Sequence, residues 1–312
     1  MFDIQTDNSR IILNHQGRRR AEIYLFGALL NRYEIELTDG SRFNAVQGYE
    51  NPQQARETLT AGFHSAKLSP FACRIRCGQY RFDGQEYCVG KHQIAGHAAH
   101  GLMYDADFAL IGSGSNAESA WAELAADYRA QEAGFPFAYR LQIRYCLTAQ
   151  GLETVTLVRN TGRSAMPLAD GWHPYFTLGG SVDEWTLQLN SRSRLVFDQD
   201  LVANGEILAD NRFANARSLA GIELDNSFIL DSFDRPACIL RSSNYRLSIF
   251  PEPSYPYLQI YIPPARQSLA LENLSGAPDC FNNGLGLTVL AAGEEKRFAT
   301  RYVLETCESE AA

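Results

Sequence analysis

The chain has no stretch approaching the roughly 18 uninterrupted apolar residues that a spanning helix needs. Its start, Met1-Phe2-Asp3-Ile4, has neither a basic region nor an apolar export segment. These absences predict no membrane partner and a mature chain that begins at Met1 in the cytoplasm. Positive charge is also scarce: 28 Lys and Arg against 36 Asp and Glu leave a net charge of −8 and a pI near 5.3. Such a balance repels polyphosphate backbones and anionic lipid, so no nucleic-acid partner is expected. The seven cysteines (73, 77, 88, 146, 238, 280 and 307) are odd in number and form no C-x-x-C pair. In a chain large enough to do without disulfides, that predicts reduced thiols. Asn273-Leu274-Ser275 matches a glycosylation sequon that has no consequence without a secretory route. Repeats, low-complexity tracts and Pro/Gly/Ser linkers are missing too, so residues 1–312 are expected to form a single domain.

What is present is an ordinary globular composition, 45% hydrophobic and 21% charged, sufficient for a sizeable core. From Phe137, the residues Phe137, Tyr139, Leu141, Ile143, Tyr145 and Leu147 alternate with Ala138, Arg140, Gln142, Arg144, Cys146 and Thr148. Period 2 predicts a half-buried strand. Ala149-Gln150-Gly151 supplies turn chemistry and Leu152 to Val158 the returning strand. A second hairpin is written in residues 79–89, where Asp83-Gly84 favours the positive φ angles of a type I′ turn. Further strands are predicted at Glu22–Leu25, Tyr33–Leu37, Trp185–Leu189, Tyr245–Phe250, Tyr257–Ile262, Leu285–Leu290 and Phe298–Leu304. In the stretch around residues 115–131, Trp121, Leu124, Ala125 and Tyr128 fit a helical face, yet period 2 fits nearly as well. The balance predicts an all-β fold: one antiparallel domain of two large sheets packed face to face.

Several segments carry candidate chemistry. Gly112-Ser113-Gly114-Ser115-Asn116-Ala117 imitates a dinucleotide-binding fingerprint but lies among hairpins rather than in a βαβ unit, so it reads as a polar turn. Three histidines crowd into residues 92–100, with His97 and His100 three apart. Gly96 and Gly101 bracket that pair, and no third ligand stands at a zinc-like interval, so no metal is expected. His173 lies in Asp170-Gly171-Trp172-His173-Pro174-Tyr175-Phe176. Aromatic faces beside an imidazole suit a sugar, whose C–H face stacks while its hydroxyls need polar partners; the plain alternative is a packed strand end. Glu272 stands in the apolar run Ser268-Leu269-Ala270-Leu271-Glu272-Asn273-Leu274. Burial there raises the proton affinity of the carboxylate and suits it to act as a base; the alternative is an outward-facing position on an edge strand. Asp225 and Arg74 are weaker cases of the same kind.

In chain order the sequence resembles the aldose 1-epimerase (galactose mutarotase) family. The motifs are Arg74-Ile75 before the hairpin Gly78 to Gly84, His100-Gly101, His173-Pro174-Tyr175-Phe176, Asp225, and Leu271-Glu272 with Pro278-Asp279 downstream. The resemblance runs from about Gly27 to the final strand and implies a single antiparallel β-supersandwich with a sugar cleft and no cofactor. It also favours a strand over a helix at Trp121–Tyr128. By position, it implies Glu272 as the general base on the C1 hydroxyl and His173 as the general acid on the ring oxygen, one deprotonated and the other protonated at the start. His100, Arg74 and Asp225 then hold ring and hydroxyl oxygens, with Tyr175 and Trp172 beside them as binding residues.

Departures bear on the substrate. The family's familiar members carry His-Gly-Gly where this chain has His100-Gly101-Leu102, and an extra Gly-Arg ahead of Asn-Arg-Ile where it has Ser69-Pro70-Phe71-Ala72-Cys73. The arginine cluster of hexose-6-phosphate epimerases is missing, so the expected partner is a small-molecule free aldose. The oligomeric expectation is a monomer or homodimer. The competing reading is a non-catalytic carbohydrate-binding domain on the same scaffold.

Overall fold

The computed structural model describes residues 1–307. The alternating segment around Tyr145 is the third strand of a nine-stranded antiparallel sheet. There Tyr139–Thr148 pairs on one side with Ser119–Tyr128 and on the other with Gly151–Asn160, which in turn pairs with Glu295–Thr306. Every second residue of Tyr139–Thr148 is buried, the pattern of a strand with one face on a core. The ambiguous stretch is a strand, Ser119–Tyr128, with Ala120, Ala122 and Leu124 facing inward. Its alanines are small inward residues rather than a helical signal.

An eight-stranded antiparallel sheet lies against the first. It runs Ala203–Ala209, Ser191–Phe197, Asp225–Leu230, Tyr257–Tyr261, Leu269–Leu274, Gly171–His173 and Ala66–Leu68, with Tyr175–Phe176 also pairing Leu269–Leu274. The two sheets meet through aromatic contacts: ring centroids lie 6.0 Å apart for Tyr145 and Trp172 and 5.4 Å apart for Phe176 and Tyr302. Asn273 Nδ2 donates to the Tyr302 hydroxyl at 3.2 Å across the same seam. Residues 2–44 form a separate five-stranded meander. Among the described residues, no helix is long and apolar enough to cross a membrane.

The outward face of the eight-stranded sheet is covered in part by a second, smaller apolar cluster that includes Phe63, Leu59, Leu68, Tyr104, Tyr257 and Leu274. Its covering segments are the short helix Pro52–Thr58 and the loops and strands of residues 71–104. The hairpin Gln79–Phe82 and Gln85–Cys88 turns at Asp83 (φ 48°) and Gly84 (φ 75°), the two positive angles of a type I′ turn.

Two expectations are corrected. Gly112-Ser113-Gly114-Ser115 is not a turn but belongs to the edge strand Ala109–Ser115. A side chain at Gly112 or Gly114 would come within 3.4 or 3.2 Å of the Trp121 ring, so the glycines make room for an indole on the neighbouring strand. The strand expected over Leu285–Leu290 is confined to Thr288–Leu290, because Gly284 and Gly286 take left-handed angles and turn the chain before it.

Candidate active site

Successive residues of a strand point to opposite faces, and this decides which residues reach the cleft. In Leu269–Leu274, Leu271 and Asn273 face the interior of the sandwich, whereas Glu272 faces outward. Its cross-strand partner is Gln259, and Ser227 stands opposite Gln259 on the next strand. Two residues before Ser227, Asp225 lies opposite Tyr261. Glu272, Gln259, Asp225 and Tyr261 form the floor of a cavity of about 410 Å³. His173, Tyr175, Cys73, Arg74 and His100 line its walls, with Phe63, Ile94, Phe197 and Leu201 around them.

His100 is brought there by a sharp turn. His100 (φ 62°) and Gly101 (φ 79°) are both left-handed, and a Cβ on Gly101 would lie 2.4 Å from the Ser69 carbonyl oxygen. Only glycine permits that approach. The His100 amide donates to the Cys73 carbonyl at 2.8 Å and the Leu102 amide to that of Ser69 at 2.7 Å, which ties the turn to the segment bearing Cys73 and Arg74.

Glu272 is 3% exposed and His173 6% exposed, with Glu272 Oε1 3.4 Å from His173 Nε2. The second carboxylate oxygen, Oε2, lies 3.9 Å from the Cys73 thiol. Burial, reinforced by the charge of Asp225, pushes the Glu272 carboxyl well above the usual carboxylate range. Burial likewise pushes the His173 imidazole down to about 4, and that of His100 well below its ordinary value. Burial thus disfavours the charged form of both groups, raising the carboxyl and lowering the imidazole. The expected pair, a deprotonated Glu272 and a protonated His173, carries the same number of protons as the neutral pair and differs from it by one proton moved from Glu272 to His173.

Asp225 accepts from Gln259 Nε2 at 2.7 Å, and its carboxyl is raised by burial against the pull of Arg74 and Gln259. Arg74 donates to the carbonyls of Asp200 and Leu201 at 2.7 and 3.3 Å, joining the cavity wall to the loop that carries Leu201. The His173 ring stands edge-on to His100 at 4.9 Å and 5.2 Å from Tyr175. Three residues that line the cavity carry a buried nitrogen or oxygen atom without a partner: His100 Nδ1, His173 Nδ1 and Gln259 Oε1. The set offers an acid–base pair, several unused hydrogen-bonding atoms and aromatic walls, as a polyhydroxylated ring requires.

Of the residues singled out from sequence, Glu272, His173, His100, Arg74, Asp225 and Tyr175 come together. Trp172 does not. It points to the opposite face of its strand, inside the sandwich, where the Lys67 ammonium lies 4.3 Å from the centre of its ring. His97, another histidine of the crowded segment, accepts from the Cys77 amide at 3.0 Å. Among the described residues, no group of three His, Cys, Asp or Glu side chains is arranged to hold a metal. The sequence reading missed Gln259, whose signal was the same as that of Glu272: a polar residue at the centre of an apolar strand. It also left Cys73, Phe63, Tyr261 and Leu201 unassigned, and nothing local in the sequence marks them.

The comparisons with known proteins agree with this picture. The profile of the family described as "Aldose 1-epimerase" matches residues 9–303. The uncharacterised protein YihR of Escherichia coli K12 is 31% identical over 240 residues, which cover 74% of this chain and 75% of that protein. A galactose mutarotase-like protein from Clostridium acetobutylicum superposes with a TM-score of 0.85 at 16% identity, covering 98% of this chain and 99% of its own. The galactose 1-epimerase of Lactobacillus acidophilus gives 0.80 at 19% identity, with 99% and 98% covered. A galactose mutarotase-like protein from Lactobacillus casei gives 0.74 at 25% identity, with 95% and 100% covered. The fold is thus the antiparallel β-sandwich of galactose mutarotase-like proteins, and by the match over nearly its whole length the chain belongs to the aldose 1-epimerase family.

Proposed function

We propose that the protein is a mutarotase that interconverts the α and β anomers of a free aldose, with Glu272 and His173 as its base and acid. The observation that carries this reading is the 3.4 Å contact between Glu272 Oε1 in the floor of the cavity and His173 Nε2 in its wall. A binding site has no need of a buried acid beside a buried base; ring opening needs both.

In the charged form of the pair, the Glu272 carboxylate removes the proton from the C1 hydroxyl. The O–H electrons form the C1=O1 double bond, the C1–O5 bond breaks, and its electron pair goes to O5, which takes the proton from His173. Rotation about C1–C2 presents the other face of the aldehyde. His173 then removes the proton from the C5 hydroxyl, O5 attacks C1, and O1 recovers a proton from Glu272. The pair returns to its starting state with no net gain or loss of protons. Arg74, Asp225, His100 and Gln259, which line the same cavity, hold the hydroxyl oxygens in this reading. Arg74 lines the cavity together with the acidic residues Asp225 and Glu272, so the cavity carries no surplus of positive charge to attract a phosphate dianion. A non-phosphorylated sugar is the better fit.

The test is the rate of anomer interconversion of freshly dissolved glucose, galactose and a pentose, followed by polarimetry or NMR with the buffer background subtracted. Glu272→Gln and His173→Asn are each expected to lower turnover by at least about two orders of magnitude. Sugar binding without any acceleration would replace this reading with that of a carbohydrate-binding domain.

A further inference from the structure

We infer that Cys73 is a positioning residue for Glu272: its thiol stands 3.9 Å from Oε2 and donates the hydrogen bond that orients the carboxylate and stabilises its ionised form. The inference rests on Glu272 being the base. Each Glu272 oxygen has one close side-chain neighbour, His173 for Oε1 and Cys73 for Oε2. A contact at each oxygen restrains rotation of the carboxylate.

The placement of Cys73 is constrained on three counts. Its backbone is left-handed (φ 51°), a conformation uncommon for a side-chain-bearing residue outside glycine, asparagine and aspartate. Its carbonyl accepts from the His100 amide at 2.8 Å, and it immediately precedes Arg74. One residue thus connects the base, a wall histidine and the wall arginine. The thiol is 9% exposed and lines the cavity. Burial and the negative charges of Glu272 and Asp225 push it well above the usual thiol range, so it stays S–H and acts as a donor, not as a nucleophile. The other titratable or charged groups that line the cavity with Glu272 are His173, Tyr175, Tyr261, Asp225, Arg74 and His100. Neither His173 nor Asp225 donates to Oε2.

A thiol is a weaker donor than a hydroxyl. This ranks the variants in opposite directions. Cys73→Ala removes the donor, which raises the proton affinity of Glu272 and lowers the share of the charged pair. Cys73→Ser keeps a donor and strengthens it.

The experiment measures kcat, KM and the pH profile of anomer interconversion for wild type, Cys73→Ala and Cys73→Ser, with Glu272→Gln as control. The expected result for Cys73→Ala is a kcat about three- to tenfold lower, with KM little changed and the alkaline limb moved to higher pH. Cys73→Ser is expected to restore kcat and bring the limb back to the wild-type position or below it. The S–H stretching band of Cys73, isolated by subtracting the Cys73→Ser spectrum from that of wild type, should shift as pH crosses the alkaline limb. The inference is overturned if Cys73→Ala matches wild type in both kcat and limb. Two variants that fall alike with the limb unmoved would reduce Cys73 to a filler of space, and an S–H band fixed across the limb would do the same without any variant activity. Full activity in Glu272→Gln is the separate signature that the base assignment itself has failed.

Discussion

At the residue scale, the decisive property of the site is that its two proton carriers have been displaced in opposite directions by one cause. Burial makes Glu272 reluctant to lose its proton and His173 reluctant to gain one. Between the two steps of a coupled pair the proton count is constant. Activity is therefore expected to be flat through neutrality. It falls on the acid side as His173 takes up a second proton for the pair, near about pH 4, and on the alkaline side as Glu272 loses the only one. Rates measured across pH with background subtracted check this; a limb centred between pH 6 and 7, the ordinary range of a free imidazole, would show that His173 is not buried as described. Trp172 gives a second prediction of opposite character. Because it packs inside the sandwich under Lys67, Trp172→Phe should lower stability by about 1 kcal/mol or more and leave KM for the sugar near the wild-type value. Chemical denaturation beside a saturation curve separates the two effects.

At the scale of elements, legibility followed burial of one face. Tyr139–Thr148 was readable because one side meets the core and the other meets water. Ala203–Ala209 was not, since six of its seven residues are exposed and no period is written where no face is buried. The first meander went largely unread for a related reason: Phe2–Thr6 buries a single residue, and Arg10–His15 mixes polar and apolar residues at partly buried positions. Within the site, residue chemistry was legible and direction was not. Glu272 and His173 announced themselves as polar groups in apolar company, but only the parity of the strand separates His173 in the cleft from Trp172 in the core. The family pattern supplied the joining of distant segments, which no local signal could. The turn at His100 carries its own test: Gly101→Ala forces a Cβ towards the Ser69 carbonyl and a side chain into a left-handed angle. It is expected to cost about 2 kcal/mol or more and to lower kcat/KM by displacing His100. Thermal melting and steady-state kinetics would show both changes together; an unchanged Tm would mean that the turn is not under the constraint described.

At the scale of the whole molecule, the sandwich seals a charged pair in its interior. Lys67 Nζ lies 2.5 Å from Asp170 Oδ1 and 3.1 Å from the Gly171 carbonyl, and the Tyr255 hydroxyl donates to the same carboxylate oxygen at 2.7 Å; both charged side chains are wholly buried. Lys67→Met leaves the carboxylate without its counter-charge, which is expected to cost about 3–5 kcal/mol in a denaturation curve. The lysines of the chain are three, at 67, 91 and 296, and Lys91 and Lys296 are exposed. An amine-specific reagent applied to the folded protein thus finds two lysine side chains and the α-amino group, while the third lysine is shut away between the sheets. Its acylation would mark only molecules whose sheets have parted, so the time course of a single mass increment on the peptide containing Lys67 would serve as a built-in clock for the opening of the sandwich.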